Sequence, residues 1–224
     1  MEETNFQKIQ EIVEQELSCS AHNMDHVLRV YNLSLHLAEN ENIDLDILKA
    51  AVLLHDIARV KEDNDPTGRT DHAVLGAEMC VPILEEVNFP VEKIKHVQVC
   101  IISHRYRTGH TPQTIEAQIL FDADKLDTIG AIGIARSFIW VGRNNAKIYS
   151  DVDIEKYIED NLGGKINGRI QDKTKHSPQI EYKTKLKYLA EKLHTDKAKE
   201  ICKERTEYFE NFLKRLEQEI KGVV

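Results

Sequence analysis

The sequence contains no apolar run of the ~18 residues that a membrane-spanning helix needs. It also lacks the basic and then apolar start of a secretory signal peptide, because the first residues, MEETNFQKIQEIVEQEL, are acidic and amphipathic. We therefore expect a cytoplasmic protein with no membrane partner.

Cysteine is scarce and widely spaced in this chain. Cys19, Cys80, Cys100 and Cys202 form no C-x-x-C pair, which argues against a zinc ribbon and against a disulfide framework. We expect reduced, mostly buried thiols.

Basic residues are outnumbered by acidic ones. The chain has 30 Lys and Arg against 38 Asp and Glu, and its formal net charge is −8. No broad basic surface is implied, so general binding to nucleic acid or to an anionic membrane is disfavoured. Any anionic substrate must then be held by local cations, whether metal ions or side chains.

Convincing alternating strand patterns and internal repeats are absent, and apolar residues recur with helical spacing along nearly the whole chain. We therefore predict an all-α protein. Its 224 residues are enough for one substantial core. We expect a single domain over residues 1–224, with a core over about 20–140, a loop or lid containing a short helix over 142–178, and C-terminal helices over 179–220 that pack on the core.

Capping residues predict where several helices begin. The expected starts are Met24, Asp44 or Asp46, Thr70, and Thr111 with Pro112. The helix that starts at Asp44 or Asp46 should run through AVLLHDIARV, residues 51–60, which is apolar almost all round and should be the central buried helix. The helix from Thr111 leads into a helical stretch that reaches Phe138.

The stretch AVLLHDIARV places His55 and Asp56 side by side among apolar residues. Burying both polar groups is costly unless a partner satisfies them. Neighbouring side chains on a helix diverge by roughly 100°. The two residues can therefore meet one metal ion that lies between them, or each can face a different ion.

Other polar residues also fall on faces that look buried. These are His26, His72, His104, Asp124 and Asp127. A single histidine on an apolar face is more often a hydrogen-bonded core residue than a metal ligand, but several histidines and aspartates on separate inward faces favour a divalent cation. Imidazole and carboxylate together suit Mn, Fe, Co, Ni or Zn, and the lack of cysteine ligands argues against a purely structural zinc.

Three segments of the chain resemble a known family. HNMDHVLRV, LLHDIAR and DADKLDTIGAIGIAR resemble the H…HD…D signature of the HD-domain metal-dependent phosphohydrolases. The resemblance covers residues of about 20–218 and extends to the single-domain bacterial and archaeal HD hydrolases. It implies a compact HD-type helical bundle with a C-terminal helical extension.

The resemblance also implies a ligand set. His26, His55, Asp56 and Asp124 would bind one or two divalent ions of Mn, Fe, Co, Ni, Zn or Mg. Asp122 and Asp127 would then orient ligands or water, although Asp122 is equally well read as an ordinary polar residue near a helix start.

Two further histidines, His72 and His104, lie between the HD pair and the last aspartate. In many members of the family such histidines bind a second metal, in which case Asp56 would bridge two ions and a bound water would become hydroxide near neutral pH. In the one-metal alternative, His72 and His104 contact phosphate or act as acid and base. The sequence leaves both alternatives open.

A phosphate substrate also needs cationic side chains around its oxygens. Those in the motif-bearing segments are Arg29, Lys61, Arg105, Arg107, Lys125 and Arg136. Arg29 is just as well explained as a structural ion pair. The candidate catalytic residues are His72, His104, Lys125, Asp127 and Arg29. The segment from Lys61 to Thr70 departs from the family and bears on substrate specificity.

The function that these residues favour is hydrolysis of a phosphate ester or anhydride by a metal-activated water, in a nucleotide or related small molecule. The same ligands would suit a di-iron HD-type oxygenase, and a degenerate binding or signalling module is a third alternative that the intact ligand set weakens. The expected partner is the small phosphate substrate, and a homodimer stays open.

Overall fold

The computed structural model describes residues 2–17, 24–105, 109–166 and 168–224. Within these ranges all regular structure is helical and no strand occurs, which confirms the predicted all-α class. None of the described helices is long and apolar enough to cross a membrane. Cys19 and Arg107 lie outside the described residues.

The chain divides into two compact units, Met1–Asp124 and Lys125–Val224. The first unit contains α1 (Glu3–Glu16), α2 (Met24–Leu37), α3 (Leu45–Leu54), α4 (Arg59–Asp63), α5 (His72–Glu86), α6 (Val91–Ser103) and most of α7 (Ile115–Leu126). Helix α3 packs against α1, α2 and α6, and α5 packs along α6. The apolar residues of α3 from Ala50 to Leu54 are buried, so α3 is the central helix that its composition predicts.

Helix α3 ends earlier than the sequence predicts. Asp44 caps its first turn by accepting hydrogen bonds from the amides of Asp46 and Ile47, as one of the two predicted starts requires. The helix stops at Leu54, however, and His55 is its C-cap. The imidazole of His55 bonds to the Val52 carbonyl at 2.7 Å, which is the acceptor that a continuing helix would offer to the next amide.

Two other boundaries also differ from the prediction. Helix α5 is capped by Asp71 instead of Thr70, because the Asp71 carboxylate accepts hydrogen bonds from the first amides of the helix. Helix α7 begins at Ile115 instead of Thr111. At this start the Thr114 hydroxyl accepts a hydrogen bond from the Ala117 amide. Helix α2 begins at Met24 as expected.

The second unit contains α8 (Gly130–Arg143), α9 (Ile154–Leu162), α10 (Pro178–Thr184) and α11 (Asp196–Ile220). The helical stretch predicted to reach Phe138 is therefore broken between α7 and α8, where Gly130 adopts φ +77°. Helix α11 packs along α8. Helix α9 is the short helix expected inside residues 142–178, and the lid role of that segment stays a prediction, as does the grouping of the whole chain into one domain.

The described cysteines confirm the prediction of buried thiols. Cys80, Cys100 and Cys202 are buried thiols. Burial raises the pKa of Cys80 and of Cys100 to about 12. Both thiols are therefore uncharged at neutral pH and are poor nucleophiles and metal ligands.

Candidate metal centre

Six side chains of the first unit converge, and they form two groups that could each hold a metal ion. The groups are His26, His55 and Asp124, and Asp56, His72 and His104. Within each group the candidate ligand atoms lie within 4.8 Å of one another. Five of the six residues are buried, and Asp124 is partly buried. The residues come from five different helices or helix ends, so the tertiary structure alone brings them together.

The carboxylate of Asp56 lies between the two groups. Its Oδ2 atom is 3.6 Å from His26 Nε2 and 3.7 Å from His55 Nε2. Its Oδ1 atom is 3.2 Å from His72 Nε2 and 3.7 Å from His104 Nε2. Each carboxylate oxygen therefore faces a different group, as a bridging ligand of two ions would.

Helix α7 supplies the remaining carboxylate. Asp124 Oδ1 lies 3.4 Å from His26 Nε2, and His26 Nε2 is 3.4 Å from His55 Nε2. Of the three aspartates considered from sequence, Asp124 is thus the one grouped with the histidines. Asp122 is fully buried within α7, and Asp127 lies in the second unit, where its carboxylate pairs with Arg136.

Two of the histidines occupy equivalent positions at helix ends. His55 is the C-cap of α3 and His104 is the C-cap of α6. Each ring bonds through Nδ1 to the carbonyl three residues earlier, at 2.7 Å to Val52 O and at 2.5 Å to Ile101 O. Because a carbonyl only accepts, these partners assign the proton to Nδ1 and leave Nε2 of both rings unprotonated and directed at the centre.

The ring of His72, the first residue of α5, is oriented in a different way. Its Nδ1 atom lies 2.7 Å from Glu62 Oε2, and the same oxygen accepts a hydrogen bond of 2.8 Å from Arg59. Arg59 Nη1, a donor, also lies 3.2 Å from His72 Nδ1, but the carboxylate is the nearer partner and accepts. We therefore assign the proton of His72 to Nδ1, which leaves Nε2 unprotonated. The sequence analysis missed Glu62; the available signal was a carboxylate in the divergent segment that follows the HD pair.

The unprotonated atoms face one another across the centre. His72 Nε2 is 3.2 Å from His104 Nε2, and both rings also face Asp56 Oδ1. Burial lowers the pKa of His55 to about 4 and lowers the pKa of His72, so these two rings gain no additional proton at neutral pH to occupy their Nε2 lone pairs. A divalent cation accepts all of them, and this nitrogen and oxygen donor set fits Mn, Fe, Co, Ni or Zn.

Asp56 is ionised and therefore able to bind a cation. Burial alone would raise its pKa, but His55, His104 and His26 hold the pKa well below the ordinary value of 3.8. The centre thus carries a fixed negative charge on Asp56.

Two of the predicted cationic residues, Lys61 and Arg105, form ion pairs with carboxylates. Lys61 pairs with Glu16 at 2.8 Å on an exposed surface. Arg105 pairs with Glu62 at 2.7 Å and with Asp71 at 2.9 Å. Both side chains therefore have carboxylate partners, which is the structural role that the sequence analysis weighed for Arg29.

Arg29 and Lys125 are two of the predicted catalytic residues. Arg29 is partly buried in α2, one turn after His26. Lys125 directly follows Asp124 in the last turn of α7, and its carbonyl accepts a hydrogen bond from the Thr128 hydroxyl. The catalytic roles of Arg29, Lys125 and Asp127 stay predictions.

Comparison with known proteins places the centre within a family domain. The family model for the HD domain matches residues 23–129, a range that includes all six converging side chains. The YpgQ protein of Bacillus subtilis is 29% identical over 206 residues, which cover 91% of this chain and 87% of YpgQ. The crystal structure of YpgQ in complex with ADP is similar with a TM-score of 0.69 and 27% identity, over 96% of this chain and 95% of that one.

Two further proteins extend the comparison. A crystal structure of an HD-superfamily hydrolase from Bacillus thuringiensis is similar with a TM-score of 0.69 and 26% identity, over 97% of both chains. The 3′-5′ exoribonuclease YhaM of Bacillus licheniformis is 30% identical over 115 residues, which cover 46% of this chain and 37% of the exoribonuclease. The chain thus matches about a third of YhaM and nearly the full length of the other two proteins.

Proposed function

We propose that this chain, whose residues 23–129 match the HD-domain family model, is a metal-dependent hydrolase of phosphate esters or anhydrides. The observation that carries this proposal is the pair of ligand groups on either side of Asp56, with unprotonated imidazole nitrogens directed into both. With the ring tautomers that their Nδ1 partners assign, His72 and His104 have no proton between their Nε2 atoms, and such a donor set is well suited to divalent cations.

The proposed ligands divide between two ions. His26, His55 and Asp124 would hold one ion, His72 and His104 would hold the other, and Asp56 would contact both. Two divalent ions supply a hydroxide at neutral pH and neutralise charge on a phosphoryl group. The buried residues of α3 fix His55 and Asp56 in position, and Arg29 is the candidate for binding the non-bridging oxygens of the substrate.

We propose a nucleotide or a related small phosphate compound as the substrate. YpgQ, which is similar over nearly its full length, is known in complex with ADP, and this supports a nucleotide. The net charge of −8 makes nucleic acid a poor general partner. A small phosphate compound requires only the local cations of the centre.

The test is hydrolysis by the purified, metal-loaded protein. With Mn²⁺ bound, we expect release of phosphate or pyrophosphate from at least one member of a panel of ribonucleoside and deoxyribonucleoside di- and triphosphates. The matched control is His55→Ala, which removes one proposed ligand and should be inactive. If no phosphorus product appears while the Fe²⁺-loaded protein consumes oxygen, the proposal is wrong and an oxygenase is supported.

A further inference from the structure

The Nδ1 atoms of His55, His104 and His72 have different kinds of hydrogen-bond partner. His55 and His104 are anchored by carbonyls of their own helices, and these acceptors are fixed by the backbone. His72 begins α5, so no preceding turn of helix offers it such a carbonyl. Its ring orientation depends on the Glu62 side chain, which belongs to the separate short helix α4.

Glu62 is itself held from three directions. Its Oε2 atom accepts from His72 Nδ1 at 2.7 Å and from Arg59 Nη1 at 2.8 Å. Its Oε1 atom accepts from Arg105 Nη1 at 2.7 Å. Both oxygens are therefore engaged, and the side chain is only 16% exposed. A carboxylate with this many fixed partners has little rotational freedom to lose when it orients the imidazole.

Arg105 links this carboxylate to both histidines of the second ligand group. It follows His104 directly in the chain, and it also pairs at 2.9 Å with Asp71, which precedes His72 and caps α5. The Glu62–Arg105–Asp71 contacts thus connect α4, the start of α5 and the end of α6. The contact of Glu62 with His72 is made through Nδ1, the ring nitrogen other than the Nε2 atom that faces Asp56.

We propose that Glu62 is a positioning residue that assembles the second metal site and so decides whether the centre holds one ion or two. A carboxylate that accepts the Nδ1 proton of a ligating histidine fixes the tautomer and the ring orientation and strengthens the ligand. The first site, formed by His26, His55 and Asp124, does not use this carboxylate. The inference rests on the proposed function only in taking His72 and His104 as metal ligands.

Glu62→Ala should therefore weaken binding of the second ion selectively. Loss of an outer partner of a metal ligand typically costs ~10–100-fold in metal affinity, and this loss should fall on one of two binding steps. Glu62→Gln keeps an acceptor for His72 but loses the charge that pairs with the arginines, so its affinity should lie between those of Glu62→Ala and the wild type. The matched control is Asp63→Asn, because Asp63 is the neighbouring carboxylate on α4 and contacts Arg59 at 3.4 Å.

The measurement is Mn²⁺ titration of the metal-free protein by calorimetry, together with electron paramagnetic resonance of the loaded protein. Wild type and Asp63→Asn should bind two ions and give a spin-coupled dinuclear signal. Glu62→Ala should show an unchanged first affinity, which also demonstrates that the variant is folded, and the signal of an isolated Mn²⁺ ion. Adding Glu62→Ala to His72→Ala should cause no further loss, because both changes remove the same site.

The outcomes separate this inference from the proposed hydrolase. If wild type hydrolyses nucleotides and Glu62→Ala still binds two ions with wild-type affinities, the inference is wrong and the hydrolase stands. If Glu62→Ala loses one ion but the wild type hydrolyses no phosphate compound, the hydrolase is wrong and the inference stands. A wild-type protein that binds a single ion overturns the inference directly.

Discussion

The two units of the chain each bury histidine in a polar cluster, four rings in the first unit and His176 in the second, and the clusters differ in how donors and acceptors are matched. In the second unit, His176 Nδ1 lies 2.9 Å from the Tyr157 hydroxyl and Nε2 lies 3.1 Å from Glu181. The side-chain amide of Asn161 donates to the Tyr157 hydroxyl at 2.6 Å. The hydroxyl can therefore donate its own proton to His176 Nδ1, and His176 Nε2 donates to Glu181. Every donor in this chain of bonds meets an acceptor.

The candidate metal centre of the first unit has the opposite arrangement. Three of its rings, those of His55, His72 and His104, bond outward through Nδ1, and the unprotonated Nε2 atoms of His72 and His104 meet at 3.2 Å. Acceptors therefore face acceptors, an arrangement that a cation between them would satisfy. Burial does not distinguish the two clusters, since His176 and His72 are both 4% exposed. The hydrogen-bond pattern distinguishes a structural histidine from a candidate ligand.

Removal of Asp56 should have the largest effect, because this carboxylate faces both ligand groups. We expect Asp56→Ala to lose bound metal and to reduce kcat by more than the ~10–100-fold that is typical of an outer partner of a ligand. Elemental analysis and phosphate release measure the two losses. His176→Phe changes the other cluster and serves as the control, so the protein should still bind metal. Equal metal loss in both variants would contradict the assignment of metal binding to the first cluster.

Removal of the metal should destabilise the protein. A ligand that binds only the folded state at ~1,000 times its Kd contributes about 4 kcal/mol, so chelation should lower Tm and Mn²⁺ should restore it. Calorimetry with and without chelator measures this shift. His176→Phe should show the same metal-dependent shift as wild type, whereas His55→Ala should show a smaller one. A shift of wild-type size in His55→Ala would contradict the ligand assignment.

Disruption of the matched cluster should reduce stability without affecting metal binding. His176→Phe keeps a ring near Trp140, whose centroid is 5.3 Å from that of His176, but it removes the acceptor of the Tyr157 hydroxyl proton and the donor to Glu181 Oε2. Each unsatisfied buried group costs about 1–3 kcal/mol. Urea unfolding followed by circular dichroism should show this loss, and Tyr157→Phe, which removes only the hydroxyl, should lose less. Metal loss in either variant would mean that His176 also serves the centre.

The smallest expected effect is on the pH dependence of stability. Burial alone would raise the pKa of Glu181, but Lys185 and His176 hold it well below the ordinary value of 4.5. A carboxylate with a lowered pKa in the folded state stabilises the protein at any pH above its pKa in the unfolded state. This contribution is lost as the pH falls from the unfolded-state pKa through the folded-state pKa. Between pH ~5 and ~3 the Tm of wild type should therefore fall more steeply than that of Glu181→Gln. Parallel Tm curves would show that Glu181 contributes nothing through its charge.

Parts of the fold could be read from local sequence features. The start of α2 at Met24 and the Asp44 cap of α3 depend on nearby residues alone, and both were predicted. The end of α3 at Leu54 was not predicted; there the His55 ring bonds to a carbonyl of the preceding turn. That bond depends on where the ring is directed, and the surrounding helices decide this.

The candidate site was predictable in its members and not in its geometry. His26, His55, Asp56 and Asp124 stood out because polar residues on apolar faces require partners, and the family resemblance ordered them. His72 and His104 were considered as a second metal pair or as catalytic groups, and the structure brings them against the other oxygen of Asp56. Glu62 was not predicted: its place in the divergent segment after the HD pair was the available signal, but its contacts with His72 and Arg105 span 10 and 43 residues of sequence.

The sequence by itself determined the helical class, the buried central helix and the residues able to bind a metal, because each depends on residue type and on spacing along one helix. Only the tertiary structure decided which nitrogen of each imidazole is protonated, which oxygen of Asp56 faces which histidines, and that a carboxylate on α4 orients His72. These features depend on contacts between separate helices. Hydrogen bonds between such distant residues are set by packing, and no local pattern of residues encodes them.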